Sequence, residues 1–174
     1  MSFTLYDASI PVYLHMLRNL DALLDKAVAH AEAKGLALST LTEARLIADM
    51  APFTAQVQFA SDAAKGGVAR LAQLTPPSFP DVETTMPELK ARIAKTIAFV
   101  ASVKREQLDG GEDRVVEMKF PSGSMTFTGK DYLTTFSIPN FLFHVTMAYG
   151  LLRAAGVPVG KMDFLAGSQA PAAA

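Results

Sequence analysis

The segment IPNFLFHVTMAYGLLR, residues 138–153, sets a single histidine into an otherwise apolar helical pattern. An imidazole in that position has two kinds of use. It can act as a metal ligand or a general base, because helical bundles build their sites from side chains on facing helices. It can also sit in the core as a neutral ring with its nitrogens hydrogen-bonded. At about 100° per residue His144 falls among Phe141, Ala148, Leu151 and Ala155, so a buried side chain on the apolar face is expected.

A second set of polar groups stands upstream. Asp49, Phe53 and Gln56 follow i, i+4, i+7 spacing along the flank of an apolar stripe, a pattern that fits a cavity wall or a subunit interface. The plain alternative for Asp49 is an ion pair with Arg45 one turn back. Tyr149 and Arg153 share i, i+4 spacing, which suits a stacked Tyr–Arg pair. The other histidines are less promising: His15 projects with Arg18 and Lys26 away from its stripe, and His30 stands near a helix end. The metal string H-E-x-x-H, the phosphate loop, the serine elbow and the dinucleotide glycine motif are all absent. The candidate set is therefore His144 with Asp49 for chemistry, and Phe53, Gln56 and Tyr149 as further pocket wall.

Four helices must position these groups. The first is expected over residues 10–34, with Ser9 as N-cap, Pro11 in the opening turn and Gly35 as the terminating residue. The second is expected over 41–72, opened by Thr40 and Glu43 at capping-box spacing and kinked at Pro52. The third runs over 87–106 behind Thr85 and Glu88 at the same spacing, burying Leu89, Ile93, Ile97 and Val100. The fourth runs over 139–155. Between the last two, Val116, Met118 and Phe120 alternate with Glu117 and Lys119, then Met125 and Phe127 alternate with threonines. The turn residues PSGS separate the two runs, so a β-hairpin over 114–128 is expected. Helices with apolar stripes and modest connections make a mainly α four-helix bundle, with the hairpin inserted between helices three and four. One domain over residues 1–166 and a flexible Ala/Pro-rich tail over 167–174 complete the outline.

The totals narrow the classes of function. Half of the 174 residues are apolar and 19% are charged, which is globular composition. A net charge of −1 speaks against non-specific nucleic-acid binding. With no cysteine, thiolate catalysis, thiolate metal sites and disulfides are excluded, as suits a cytoplasmic protein. No window approaches the length of a membrane span, and the N-terminal residues lack the basic-then-apolar pattern of a signal peptide. The apolar surplus, and the small residues of helix two, point to a homodimer.

The strings RLIADMAPFTAQVQFASDAAKGGVARL and PNFLFHVTMAYGLLRAAGVPVGKMDFL resemble a microbial family, the domain of unknown function numbered nineteen-ninety-three, over nearly the whole chain. That family is similar to the DinB and YfiT-like four-helix bundles. In the wider group a histidine on helix two and an i, i+4 histidine pair on the last helix hold a divalent metal, and some members resemble thiol-dependent transferases or isomerases. The resemblance places His144 as the first of the last-helix pair. Ala148 stands four residues later, and helix two carries Asp49 where a histidine would be wanted. Two functions follow as expectations. One is a small-molecule-binding or dimerisation module with a degenerate, metal-free pocket around His144. The alternative is a metal-dependent (zinc, nickel or iron) or acid–base enzyme using His144 and Asp49.

Overall fold

The computed structural model describes residues 3–167. Of the tail expected over 167–174, residues 168–174 lie outside the described residues. Its first position, Gly167, closes the last helix and packs against Asn19.

Helix α1 (Leu5–Lys34) starts four residues before the expected cap. Thr4 is extended, its hydroxyl accepts from the Asp7 backbone N–H, and the Asp7 carboxylate accepts from the Thr4 N–H. This reciprocal pair satisfies two otherwise orphaned donors of the first turn. Ser9, expected as the cap, lies inside the helix and donates to the Leu5 carbonyl at 2.6 Å. Gly35, at φ 62°, ends α1 in the left-handed conformation that glycine adopts without strain.

The expected long second helix is two pieces, α2 (Ser39–Thr42) and α3 (Phe53–Leu71), with residues 43–52 as a loop. A kink at Pro52 is therefore corrected to a break. Proline disfavours helical geometry in the residue before it, and Pro52 itself has ψ 170°, so the chain enters the helix only at Phe53. The Thr40–Glu43 capping box does not form, and Leu38 precedes α2 with no side-chain cap. Leu46 is 53% exposed on that loop, not part of a continuous buried stripe.

Helix α4 (Met86–Ser102) opens with the expected Thr85–Glu88 capping box. Strands β1 (Val115–Phe120) and β2 (Gly123–Thr128) form the expected antiparallel hairpin, pairing Val116 with Phe127 and Met118 with Met125. The chain then runs without interruption through α5 (Gly129–Asp131), a π-helical turn (Tyr132–Ser137) and α6 (Ile138–Ala154). Helix α7 (Lys161–Ala166) lies back on α1, where the Asn19 amide donates to the Phe164 carbonyl at 2.9 Å and His15 hydrogen-bonds the Leu165 carbonyl.

Around the bundle the order is α1, α4, α3, α6, each packed on the next. The buried faces are those the apolar spacing implies: Leu17, Leu20 and Leu24 on α1, Val57, Ala60 and Ala64 on α3, Leu89 and Ile93 on α4, Phe141, Val145 and Ala148 on α6. They form one contiguous core. Small residues on α3 let α6 come close. At Gly67 an added Cβ would fall on Ser137 Oγ and come within 2.9 Å of the Tyr13 hydroxyl. Those two groups hydrogen-bond each other at 2.7 Å, tying α1 to the π turn across the glycine. Burial pushes the Tyr13 phenol above its usual range, so it remains a hydroxyl.

Candidate functional site

The loop–α3 junction and α6 bring two of the expected residues together. Gln56, buried in the first turns of α3, donates through Nε2 to the Ala51 carbonyl at 3.2 Å. That bond turns its Oε1 toward α6, where it accepts from His144 Nδ1 at 2.9 Å. The amide thereby selects the tautomer protonated at Nδ1 and leaves Nε2 as a bare acceptor. The His144 ring packs against Phe59 at 5.1 Å and Phe143 at 5.2 Å between centroids. Burial pushes its pKa below the ordinary histidine value, so the neutral form prevails near neutrality. The buried position expected for His144 is corrected to half-burial: the ring lies at the edge of the core, facing a cavity.

That cavity has a volume of about 360 Å3, within the range of small-molecule sites. One wall is the line Phe59, Asp62, Ala63 and Arg70 on α3. The opposite wall is Tyr132, Phe136 and Ser137 of the π turn with Asn140 and His144 on α6. Met118 and Phe120 of β1 close a third side. The hairpin is fixed there by an aromatic trio, with Phe127 5.9 Å from Tyr132 and 5.8 Å from Phe136, and the last two stacked on each other. π turns recur at functional sites because the added residue re-aims side chains. Here three residues of that turn line the cavity.

Two charges face this space in different states. Asp62 Oδ1 is held by Arg92 at 2.7 Å and by Lys65 at 2.9 Å. Arg92, wholly buried on α4, also binds Asp81 and Glu83. Burial raises the Glu83 carboxyl, but bonds from its own backbone, Gln58 and Arg92 outweigh that and leave it below the usual range. Arg70, by contrast, makes no ion pair among the described residues, and its only side-chain bond there is a long one, 3.4 Å, to the Tyr132 hydroxyl.

The remaining expected residues lie elsewhere. Asp49 is exposed on the 43–52 loop and makes no hydrogen bond to His144, because the helix that would have aimed it inward does not exist. Phe53 is fully buried core beneath Gln56. Tyr149 packs edge-on against Phe164 of α7 at 5.8 Å rather than stacking on Arg153. Sequence reasoning passed over Asp62, Arg70, Tyr132 and Asn140. The signal was available on α3, where Phe59, Ala63 and Arg70 repeat at i, i+4, i+11 beside a glycine pair.

The donor set does not fit a resident divalent metal of the kind the wider resemblance implies. His144 has one free nitrogen, Ala148 is buried with no donor, and the nearest carboxylate in the cavity is already held by two cations. Among the described residues no group of three His, Cys, Asp or Glu side chains is placed to hold a metal ion.

A mainly helical four-helix core with a small hairpin before its last long helix has the architecture of a DinB-like bundle. A DinB family member from Shewanella denitrificans, known from its crystal structure, is similar at 39% identity with a TM-score of 0.86, over 92% of this chain and 91% of that one. The family model described as Domain of unknown function (DUF1993) matches residues 5–165, and the chain belongs to that family. No curated protein matches it. Among the described residues no helix is long and apolar enough to cross a membrane.

Proposed function

We propose that this chain is a small-molecule-binding member of its family, seating its ligand without a metal in the cavity between α3, the π turn, α6 and β1. The observation that carries the reading is the relay from the Ala51 carbonyl through Gln56 to His144. It fixes a neutral imidazole with its Nε2 lone pair at the wall of a cavity of ligand size. A buried amide committed to orienting one ring is a device for positioning an acceptor.

The test is a fragment screen read by NMR on protein with labelled histidine. Binders are expected to shift the His144 Nε2 resonance while leaving His15 and His30 in place. Gln56→Leu is expected to mix the two tautomers and weaken those binders. A screen in which no fragment moves His144 would overturn the reading. So would stoichiometric zinc, nickel or iron in untagged protein that disappears in His144→Ala, and that outcome would favour the metal-dependent enzyme. A homodimer in the cytoplasm is part of the same proposal, supported by the exposed Ile47 and Phe143 and by the lack of cysteine.

A further inference from the structure

The cavity carries a histidine acceptor toward one end and an arginine toward the other, and the spacing of those two groups describes a ligand. At one end is His144 Nε2, an acceptor against Phe59. At the other is Arg70. Its guanidinium folds back along α3 over Gly66, so that a Cβ built on that glycine would stand 2.7 Å from Arg70 Nη1. From the level of Phe59 to that of Gly66 is seven residues of helix, and at 1.5 Å of rise per residue the two ends lie about 10 Å apart. Between them the walls carry the rings of Phe59 and Phe136 and the side chain of Met118, together with Asn140 and the already paired Asp62.

The charges of the cavity are unequal in what they have left to offer. The carboxylate of Asp62 is matched by Arg92 and Lys65, so an incoming cation would compete with two fixed ones. Among the described residues Arg70 has only the long bond to Tyr132, and its planar fork of donors suits a carboxylate in a two-point contact.

Resting on the cavity reading above, we infer that the ligand is an elongated organic anion: a flat apolar body with a carboxylate at the Arg70 end and a hydroxyl donor for His144 Nε2 at the other. The π turn supplies Tyr132 beside the anion end, where its hydroxyl both accepts from Arg70 and holds it in place. Arg70 acts as the anion anchor and His144 as the gauge of length.

Three probes test this on the full chain by calorimetry with parallel NMR: 3-(4-hydroxyphenyl)propanoate, its alcohol 3-(4-hydroxyphenyl)propan-1-ol, and 3-phenylpropanoate. The hydroxy acid is expected to bind about ten-fold tighter than the alcohol, as a charge-assisted pair should, and several-fold tighter than the acid lacking the hydroxyl. Arg70→Gln should erase the preference for acid over alcohol while leaving the alcohol unchanged. Arg70 is exposed, so an unaltered His144 resonance will confirm that the variant is folded. If the alcohol binds as well as the acid, or the preference survives Arg70→Gln, the inference fails. Shifts at His144 would in that case leave the cavity reading standing. If none of the three probes moves His144 the inference also fails, and the fragment screen alone decides whether the cavity binds anything.

Discussion

Replacing Gly67 by alanine places a methyl group where Ser137 Oγ now sits and within 2.9 Å of the Tyr13 hydroxyl. Both are buried and, among the described residues, hydrogen-bonded only to each other across the glycine. Alanine gains about 1 kcal/mol over glycine inside a helix. Against that, forcing a methyl into a packed contact costs roughly 1–3 kcal/mol, and parting the two hydroxyls leaves a buried polar group unpaired at roughly 1–3 kcal/mol more. The net is a loss of roughly 1–5 kcal/mol, with about 2 kcal/mol as a conservative working value. Gly150 on α6 is the internal control, because nothing lies within 4 Å of a Cβ built there. Gly150→Ala should therefore show only the helix gain of about 1 kcal/mol. Urea unfolding and calorimetry should separate the two variants by about 3 kcal/mol, or roughly 6–12 °C in Tm for a chain of this size. The cost of Gly67→Ala should shrink in a Ser137→Ala background, since the two sites share the contact. A Gly67→Ala protein as stable as Gly150→Ala would refute the packing account.

Arg92→Ala should cost about 3 kcal/mol by urea unfolding, because it leaves three carboxylates without their common cation; a loss under about 1 kcal/mol would mean the cluster is incidental. For His144 the folded pKa is depressed by burial, so the unfolded chain takes up the proton more readily. Its contribution to stability is therefore full above the unfolded pKa of about 6.5 and is lost as pH falls through the folded value. His144→Gln should flatten that part of the pH–stability curve, and an unchanged slope would place its origin elsewhere. Sedimentation equilibrium at micromolar concentration should show a homodimer, and a monomer throughout would remove that part of the proposal.

The hairpin and the third and fourth helices were legible because a single local signal decides each. Period-two alternation marks β1, Thr85–Glu88 spacing opens α4, and the apolar run after Ser137 marks α6. Where two signals competed, the reading erred. Apolar periodicity ran on across Pro52, and the steric restriction that proline places on Ala51 outweighed it. That error carried Asp49 from an exposed loop to an inward-facing helix. Thr4 and Ser9 both suit an N-cap, and the reciprocal bond from Asp7 decided between them. At the site, His144 and Gln56 were each identified, but their pairing joins residues on different helices and no local pattern expresses it. The π turn was invisible for a related reason: Tyr132 and Phe136 pack on Phe127 of the hairpin, a tertiary contact that nothing in YLTTFS announces.

The π turn has a consequence for how such a chain can change length. Deleting one residue within 132–137 would let the run from Gly129 to Ala154 relax into plain α-helix. The hairpin, joined to that run through α5, would turn by about 100° around the α6 axis and draw in by about 1.5 Å. The hairpin would swing off its wall, taking Met118 and Phe120 with it, while the interlocked faces of α1, α3, α4 and α6 stayed as they are. A single codon would thus open or erase the chamber without touching the bundle beneath it. Recognition in this architecture can be gained or discarded by a change of register, with the fold carried along as a bystander.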